Sequence, residues 1–317
     1  MAAVRAEHPC WGGRKIRRVL ENQGLADAPA ASTITAILRR RRLLSATTDG
    51  VQRHWVRFEH EAPNDLWQMD FKGWFDLAGR RCHPLTVLDD HSRYALEIGA
   101  CADERGETVR TRLRAVFRRY GLPWRILSDN GPPWGAAGHG EHSRFSVWLM
   151  DLDIAVSHGR PYHPQTQGKE ERFHRTLKGE VIQVRSFRDL GQAQKAFDDW
   201  REVYNFKRPH EGISMQTPSE RYRMSARAMP EAIAPAEYEA QAQVRTVNQA
   251  GWFAFKGRKV RASKAFAGKR LALRATPQDG IFDLCYRQHV LAQVNLRQDD
   301  LKPVHHVPEQ VFTLSPV

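Results

Sequence analysis

The sequence predicts an α/β chain: a mixed five-stranded sheet with helices on both faces, preceded by a helical pair and followed by a small β-barrel. Three observations predict it. Between residues 66 and 157, apolar runs of strand length are interrupted by one long and one short helical pattern, the order in which a mixed sheet acquires its helices. Residues 11–45 place apolar side chains at helical spacing. From residue 244 to about 301, short β runs alternate with Gly-containing turns. A length of 317 residues admits two or three domains, and 41% hydrophobic residues is enough to build their cores.

The elements follow in chain order. In the first helix Ile16, Val19 and Leu20 fall at i, i+3 and i+4 after Trp11-Gly12-Gly13. In the second, Ser32 or Thr33 is placed to cap a helix with Ile34, Ile37 and Leu38 inward, which turns Thr33, Thr35 and Arg39 outward. Such a pair is either an ordinary helical hairpin or a helix-turn-helix, whose second helix offers side chains to base edges in the major groove. The pattern alone favours the hairpin, and the four arginines at 39–42 weigh toward the second reading. Residues 46–63 read as a linker. Strand patterns then cover 66–77, 83–88 and 94–101. A helix over 107–120 carries Val109, Leu113, Val116 and Phe117 on one face, and a strand at 125–128, a short helix at 143–151 and a strand at 154–157 complete the region. Three strands, a helix, then strand and helix in alternation is the order of the ribonuclease H fold. The Ala/Glu/Pro-rich stretch 229–243 is the expected linker to the β module.

Three acidic residues stand in three different local settings. Asp70 lies in the strand-like DLWQMDF, where Trp67, Met69 and Phe71 share one face and Gln68, Asp70 and Lys72 the other. Asp129 ends an apolar strand just before Asn130-Gly131, so it is either a sheet-end ligand or an ordinary turn residue. Glu171 opens a helix whose apolar stripe is Phe173, Leu177, Val181 and Val184; at 100° per residue it shares the opposite face with Arg175 and Lys178, while Glu170 falls at the edge of the stripe. Asp89 and Asp90 read instead as organisers of the LDDHSR turn, with Arg93 as partner. Widely separated carboxylates suit hard divalent cations, which take oxygen ligands.

The motifs WQMDF, LDDHSRY, SDNGPP, HPQTQGKEERFHRTLK and YNFKRPHEGISMQTPSERY, in this order, resemble the catalytic core shared by retroviral integrases and bacterial insertion-sequence transposases of the DDE type. The resemblance covers residues 64–223. It implies a ribonuclease H-like core over 62–225, a helix-turn-helix DNA-binding domain over 1–48 and a DNA-binding β-barrel over 244–302. It further implies that Asp70, Asp129 and Glu171 bind two Mg²⁺ ions, replaceable by Mn²⁺, and catalyse cleavage of transposon ends and joining of the 3′-hydroxyl to target DNA. A catalytically silent DNA-binding protein and a nuclease without strand transfer are the alternatives. DNA is the expected partner, with assembly into a homo-oligomer on it. Expected DNA contacts are Thr33, Thr35 and Arg39; Gln165, Gln167 and Lys169; Arg172, Arg175 and Lys178; and Lys256, Arg258, Arg261 and Lys264. Thr166 is expected to cap the catalytic helix or to join these contacts, Gly168 to lend its loop flexibility, and the stretch 135–143 to loop out as an insertion.

Charge and cysteine content agree with this picture. Residues 1–61 hold 11 Lys/Arg against 6 Asp/Glu, and residues 245–302 hold 12 against 4, which leaves the middle of a chain of net charge +13 close to neutral. Basic flanks around a neutral centre fit end domains that grip phosphates. Cys10, Cys82, Cys101 and Cys285 show no zinc-site spacing, so reduced structural thiols are expected and no zinc module. No apolar stretch approaches the roughly 18 residues of a membrane span, and no signal-peptide core is visible. A cytoplasmic, nucleoid-associated protein is expected.

Overall fold

The structure, a computed structural model, describes residues 1–44, 59–129, 131–134, 142–158 and 168–297, together with the backbone of 304–305. Its residues pack as two units: Met1–Asp103 with Tyr162–Met224, and Glu104–Pro161 with Ser225–Val317. The first unit begins with three short helices, α1 (Ala2–Glu7), α2 (Gly13–Asn22) and α3 (Ala31–Arg40). Trp11, Ile16, Leu20, Ile34 and Leu38 form their shared core, as the helical spacing requires. Helices α2 and α3 meet at Gly13, where an added Cβ would lie 2.3 Å from the Ala31 carbonyl oxygen and 2.4 Å from Thr35 Oγ1. Thr35 therefore packs inward and donates to Ala31 O at 2.7 Å, which corrects its expected outward placement. The helix also starts earlier than expected: Ala30 is its N-cap, and Ser32 and Thr33 lie within the first turn.

Strands β1 (Leu66–Phe71), β2 (Phe75–Leu77), β3 (Arg80–Asp89) and β4 (Ala95–Cys101) form an antiparallel group in this unit. The single run expected over 66–77 breaks in two because the chain turns at Gly73, whose φ of +84° suits glycine. Among the described residues, six strands, two of them further along the chain, therefore precede the C-terminal module where a five-stranded sheet was expected. Trp67 and Met69 are buried, and Asp70, on the other face, is half-buried.

Helix α6 (Gly168–Leu177) buries Phe173 and Leu177 against α7 (Leu190–Phe206). Phe173 stacks edge-on to Tyr204 with centroids 4.9 Å apart. After Leu177 the helix widens into a π-helical turn, Lys178–Ile182, which keeps Val181 buried. The wider turn shifts the apolar stripe, so Val184, expected inward, is 62% exposed and Ile182 packs in its place. Helix α7 closes the open edge of β4 with polar side chains. Asn205 accepts from Ala95 N at 2.8 Å and donates to Ala95 O at 2.9 Å, Arg201 donates to Leu96 O at 2.6 Å, and Gln194 accepts from Ala100 N at 2.8 Å and donates to Ile98 O at 3.0 Å. An edge satisfied in this way offers no template to another strand.

The segment 208–223 ties the unit together. Arg208 and Trp200 Nε1 both donate to the Glu180 carboxylate. Thr217 caps α8 (Pro218–Arg221) in a capping box with Glu220. Arg221 reaches Glu59 at 2.7 Å, and Tyr222 and Arg223 O engage Asn64. The signature-like stretch that ends in SERYR is thus structural. His210, half-buried and packed against the Tyr204 ring, has its pKa pushed down to about 3 by desolvation and, secondarily, by Arg208.

In the second unit α4 (Gly106–Tyr120) precedes β5 (Arg125–Ser128), α5 (Arg144–Asp151) and β6 (Ala155–His158), and β5 and β6 pair in parallel. Ser143 caps α5 through a reciprocal capping box with Ser146. This antiparallel-then-parallel order is the ribonuclease H-like one. The segment expected to form a small barrel makes two antiparallel sheets. Strands β7 (Gln243–Thr246), β10 (Arg270–Ala275), β11 (Ile281–Tyr286), β12 (His289–Asn295) and β13 (Val304–His305) form a five-stranded sheet, ordered β13-β12-β11-β10-β7. The hairpin β8 (Trp252–Phe255) and β9 (Arg258–Arg261) forms the other. Both enclose Phe253, Phe255, Val260, Phe266, Leu271 and Leu284, and Val147 and Met150 of α5 join that core. Asp151, at the end of α5, takes Lys269 at 2.7 Å and the Tyr286 hydroxyl.

Half-buried His210, its pKa held down, makes stability sensitive to acid. In the unfolded chain it takes up a proton near pH 6.5, which the folded chain refuses down to about pH 3. The stability it contributes is therefore complete above pH 6.5 and is lost as pH falls, at up to about 1.4 kcal/mol per unit. Melting temperature is expected to fall more steeply between pH 6.5 and about 5 in the parent chain than in His210→Gln. Equal slopes would show that His210 carries none of the acid sensitivity.

Candidate active site

Each proposed carboxylate is carried by a different kind of element. Asp70 is on β1, opposite Thr86 of β3 in the strand register. Thr86 Oγ1 donates to Asp70 O at 3.0 Å and lies 2.8 Å from His174 Nε2; its single hydrogen being committed, it accepts from the imidazole. His174 projects inward from α6, where burial, helped by Lys72, lowers its pKa to about 4. Lys72, two residues after Asp70 on the same face of the chain, also has its pKa lowered by burial and by Lys178, against the pull of Asp70. Lys72 thus feels both Asp70 and Lys178 in the first unit.

Helix α6 sorts its two glutamates as the geometry requires. Glu170 is 3% exposed and Glu171 is exposed, on the same face as exposed Arg175 and Lys178. The helical wheel puts Glu170 at the edge of the stripe, and the fold draws it fully inside. Arg172 is exposed. Lys169, expected at DNA, points inward: its ammonium sits 2.5 Å from Oδ1 of buried Asp90, and burial, opposed by that carboxylate, lowers its pKa to about 8.

Asp89 and Asp90 do organise the turn, and Arg93 joins it through its backbone N–H, which donates to Asp89 O at 2.9 Å, and not through its guanidinium. Asp89 accepts from Ser92 N at 2.8 Å, Ser92 Oγ at 2.5 Å and Asn64 N at 2.7 Å; burial still raises its pKa. Arg93 pairs with Glu59 at 3.0 Å, because both aspartates are enclosed and already hydrogen-bonded.

Asp129 stands at the end of β5 in the second unit. Its Oδ1 accepts from Gly131 N at 3.0 Å, the turn geometry that the Asp-Asn-Gly sequence signals, and His158 Nδ1 lies 2.8 Å from its carbonyl oxygen. Burial raises its pKa, with Gly131 and His158 opposing and Glu104 adding to the rise. Gln165, Thr166 and Gln167 lie outside the described residues, as does most of the 135–143 stretch. Among the described residues no group of three His, Cys, Asp or Glu side chains closes on a metal-sized site. None of their helices is long and apolar enough to cross a membrane.

Of the helical contacts, Thr33 and Arg39 are exposed on α3. On the β8–β9 hairpin, Lys256 and Arg261 are exposed, Arg258 is half-buried, and Lys264 is exposed just beyond. Lys256 Nζ sits 4.5 Å from the Phe282 ring centre and Arg261 lies 5.9 Å from that of Trp252, which is 36% exposed. Lys72, Thr86, His158 and His174 are additions that the fold makes to the residues expected from the sequence. Only Lys72 carries a signal there, its place two residues from Asp70.

Models of the integrase core domain match residues 60–164 and 152–218. The chain belongs to the integrase-core family. A model of the IS481 family transposase C-terminal domain matches residues 242–302 of this integrase-core chain, the segment of the two antiparallel sheets. It is similar to the insertion element IS476 uncharacterized 39.2 kDa protein of Xanthomonas euvesicatoria, with 28% identity over 68% of this chain and 57% of that protein. The chain thus spans little more than half of that relative. It is also similar to the insertion element IS407 uncharacterized 31.7 kDa protein of Burkholderia multivorans, with 26% identity over 75% of this chain and 78% of that one. Among solved structures, the catalytic core domain of BIV integrase is 27% identical and aligns with 50% of this chain and 92% of its own, at a TM-score of 0.38. A simian T-cell lymphotropic virus intasome in complex with PP2A regulatory subunit B56 gamma is 17% identical, over 81% of this chain and 92% of that one, at 0.45.

The different burial of side chains on α6 separates surface chemistry from core packing. Glu171→Gln is expected to change unfolding free energy by less than about 0.5 kcal/mol. Phe173→Ala is expected to cost about 3–5 kcal/mol. Denaturant unfolding of both variants checks this, and a large drop in stability in Glu171→Gln would place that side chain in the core.

Proposed function

We propose that the chain is a transposase that cuts the ends of its element and joins the freed 3′-hydroxyl to target DNA, with Asp70, Asp129 and Glu171 as the metal-binding catalytic carboxylates. The observation that carries this reading is the exposed Glu171, fixed on the packed helix α6 beside Arg175 and Lys178, within a chain matched by integrase-core and transposase C-terminal models. The donor set is all carboxylate oxygen, which fits Mg²⁺ or Mn²⁺ and not a soft ion. Bound there, two such ions would supply Lewis-acid stabilisation of the attacking and leaving oxygens.

The protein's own groups bind and orient. Exposed Arg172, Arg175 and Lys178, with Lys72 beside Asp70, attract the phosphates that flank the reacting one. Thr33 and Arg39, exposed on α3, would read base edges, whereas Thr35, spent at the Gly13 contact, would not. Lys256, Arg258, Arg261 and Lys264 supply sequence-independent affinity. A homo-oligomer on DNA would bring two ends together.

The deciding experiment incubates the protein and Mg²⁺ with labelled duplexes taken from the DNA flanking its coding sequence. Joined products are expected; cleavage alone would make it a nuclease, and binding alone a silent DNA-binding protein. Asp129→Asn and Glu171→Gln should each lower cleavage and joining by about 100-fold or more while DNA binding persists, whereas Glu170→Gln should retain turnover. Equal impairment of both glutamate variants, with folding intact, would remove the assignment between them.

Because α5 shares the core of the C-terminal sheets, deleting those sheets would expose Val147 and Met150. Charge removal is the cleaner test. In Lys256→Gln/Arg261→Gln/Lys264→Gln the log–log salt slope of binding should flatten by about 0.9 for each phosphate that is no longer neutralised, equally for end and random DNA. Arg39→Ala should instead narrow the preference for end DNA by roughly 1–3 kcal/mol. An unchanged slope in the first variant, or an unchanged preference in the second, would refute the corresponding role.

A further inference from the structure

Two polar contacts bracket Glu171 on α6, and both lead to the β1–β3 pair that carries Asp70. Two residues before Glu171, Lys169 Nζ lies 2.5 Å from Asp90 Oδ1 and 3.4 Å from the Asp90 carbonyl. Asp90, just past the end of β3, is 1% exposed. Its Oδ1 also accepts from Gln68 Nε2 at 2.6 Å, its Oδ2 from His60 N at 2.9 Å, and its own N–H donates to Leu66 O at 2.9 Å. Gln68 is two residues before Asp70 on β1, and so on the same face. Three residues after Glu171, His174 Nε2 meets Thr86 Oγ1 at 2.8 Å, and that hydroxyl donates to the backbone oxygen of Asp70 itself at 3.0 Å.

We propose that Asp90 and Thr86 are positioning residues: through Lys169 and His174 they clamp the turn of α6 that holds Glu171 in fixed register with Asp70. The proposal rests on reading those two carboxylates as metal ligands. Apolar packing of Phe173 and Leu177 keeps α6 against its neighbours, but such packing is non-directional and tolerates a small roll or slide of the helix. A metal-binding pair has to be held within about 0.5 Å, which directional hydrogen bonds at both ends of the turn can enforce. The clamp also disposes of charge, because Lys169, close to Glu171 in the sequence, is taken up by a buried carboxylate.

Thr86→Val removes both hydrogen bonds of the hydroxyl at nearly constant volume, and Thr86→Ser restores them. Asp90→Asn/Lys169→Gln neutralises the ion pair without leaving a buried charge alone. The full chain is titrated with Mn²⁺ alone, followed by calorimetry, and backbone amide hydrogen exchange is read across 169–177. Thr86→Val and the double variant should raise the half-saturating Mn²⁺ concentration about 10- to 100-fold and speed exchange in α6, with melting temperature and DNA affinity near those of the parent. Thr86→Ser should recover both readouts. Parent-like Mn²⁺ binding and α6 exchange in Thr86→Val would overturn the clamp, and so would a weakening that tracks a general fall in melting temperature and is not rescued by serine. If Asp70→Asn and Glu171→Gln leave Mn²⁺ binding unchanged, it is the ligand reading that fails, and the exchange data still decide whether the clamp exists.

Discussion

The first unit depends on the burial of one face of α6. Phe173 and Leu177 are enclosed with Trp200 and Tyr204 of α7, and that packing leaves the opposite face, with Glu171, Arg175 and Lys178, in solvent. Hydrophobic burial of this kind stabilises by about 25 cal/mol per Å², so a fully enclosed phenylalanine is worth far more than any surface ion pair on the same helix. The exposed, charged face is therefore fixed by the buried, apolar one. Helix α7 extends the arrangement, since its apolar side packs on α6 while Asn205, Arg201 and Gln194 satisfy the free edge of β4.

Buried polar groups add direction to this packing. Asp89 and Asp90 are both enclosed at the end of β3, and each is matched by several donors: Ser92 and Asn64 for one, Gln68, His60 and Lys169 for the other. A carboxylate removed from water without such partners would be costly, and with them it specifies a single arrangement of the segments it joins. Those segments are β1, the LDDHSR turn and the start of α6. Glu59, reached by Arg93 and Arg221, continues the network to α8.

The second unit shows the same division between attachment and display. Val147 and Met150 of α5 enter the core of the C-terminal sheets, and Asp151 anchors Lys269 and Tyr286. The α5 segment and the sheets are thus one packed body, although a long stretch of chain separates them. The hairpin β8–β9 buries Phe253, Phe255 and Val260 and leaves Trp252, Lys259 and Arg261 outside, an alternation set by the strand period of two. A basic face with an exposed aromatic ring follows from that period.

Much of this was determined by the sequence itself. The sequence pattern placed helices over 107–120 and 143–151, each within one residue of the observed start, with the strand at 125–128 and the inward Phe173, because a local repeat dictates which face is apolar. It also separated Glu170 from Glu171, since one residue along a helix is a turn of about 100°. Three features were decided only by the tertiary structure. The π-helical turn after Leu177 displaces Val184, and no residue in that stretch announces the change of period. Thr35 turns inward because Gly13, on the preceding helix, lets two helices touch. Lys169 leaves the surface because Asp90, 79 residues earlier, needs a cation where it is buried. In the last two cases the deciding partner lies on another element, and an interaction made by folding has no periodic trace in the residues that make it.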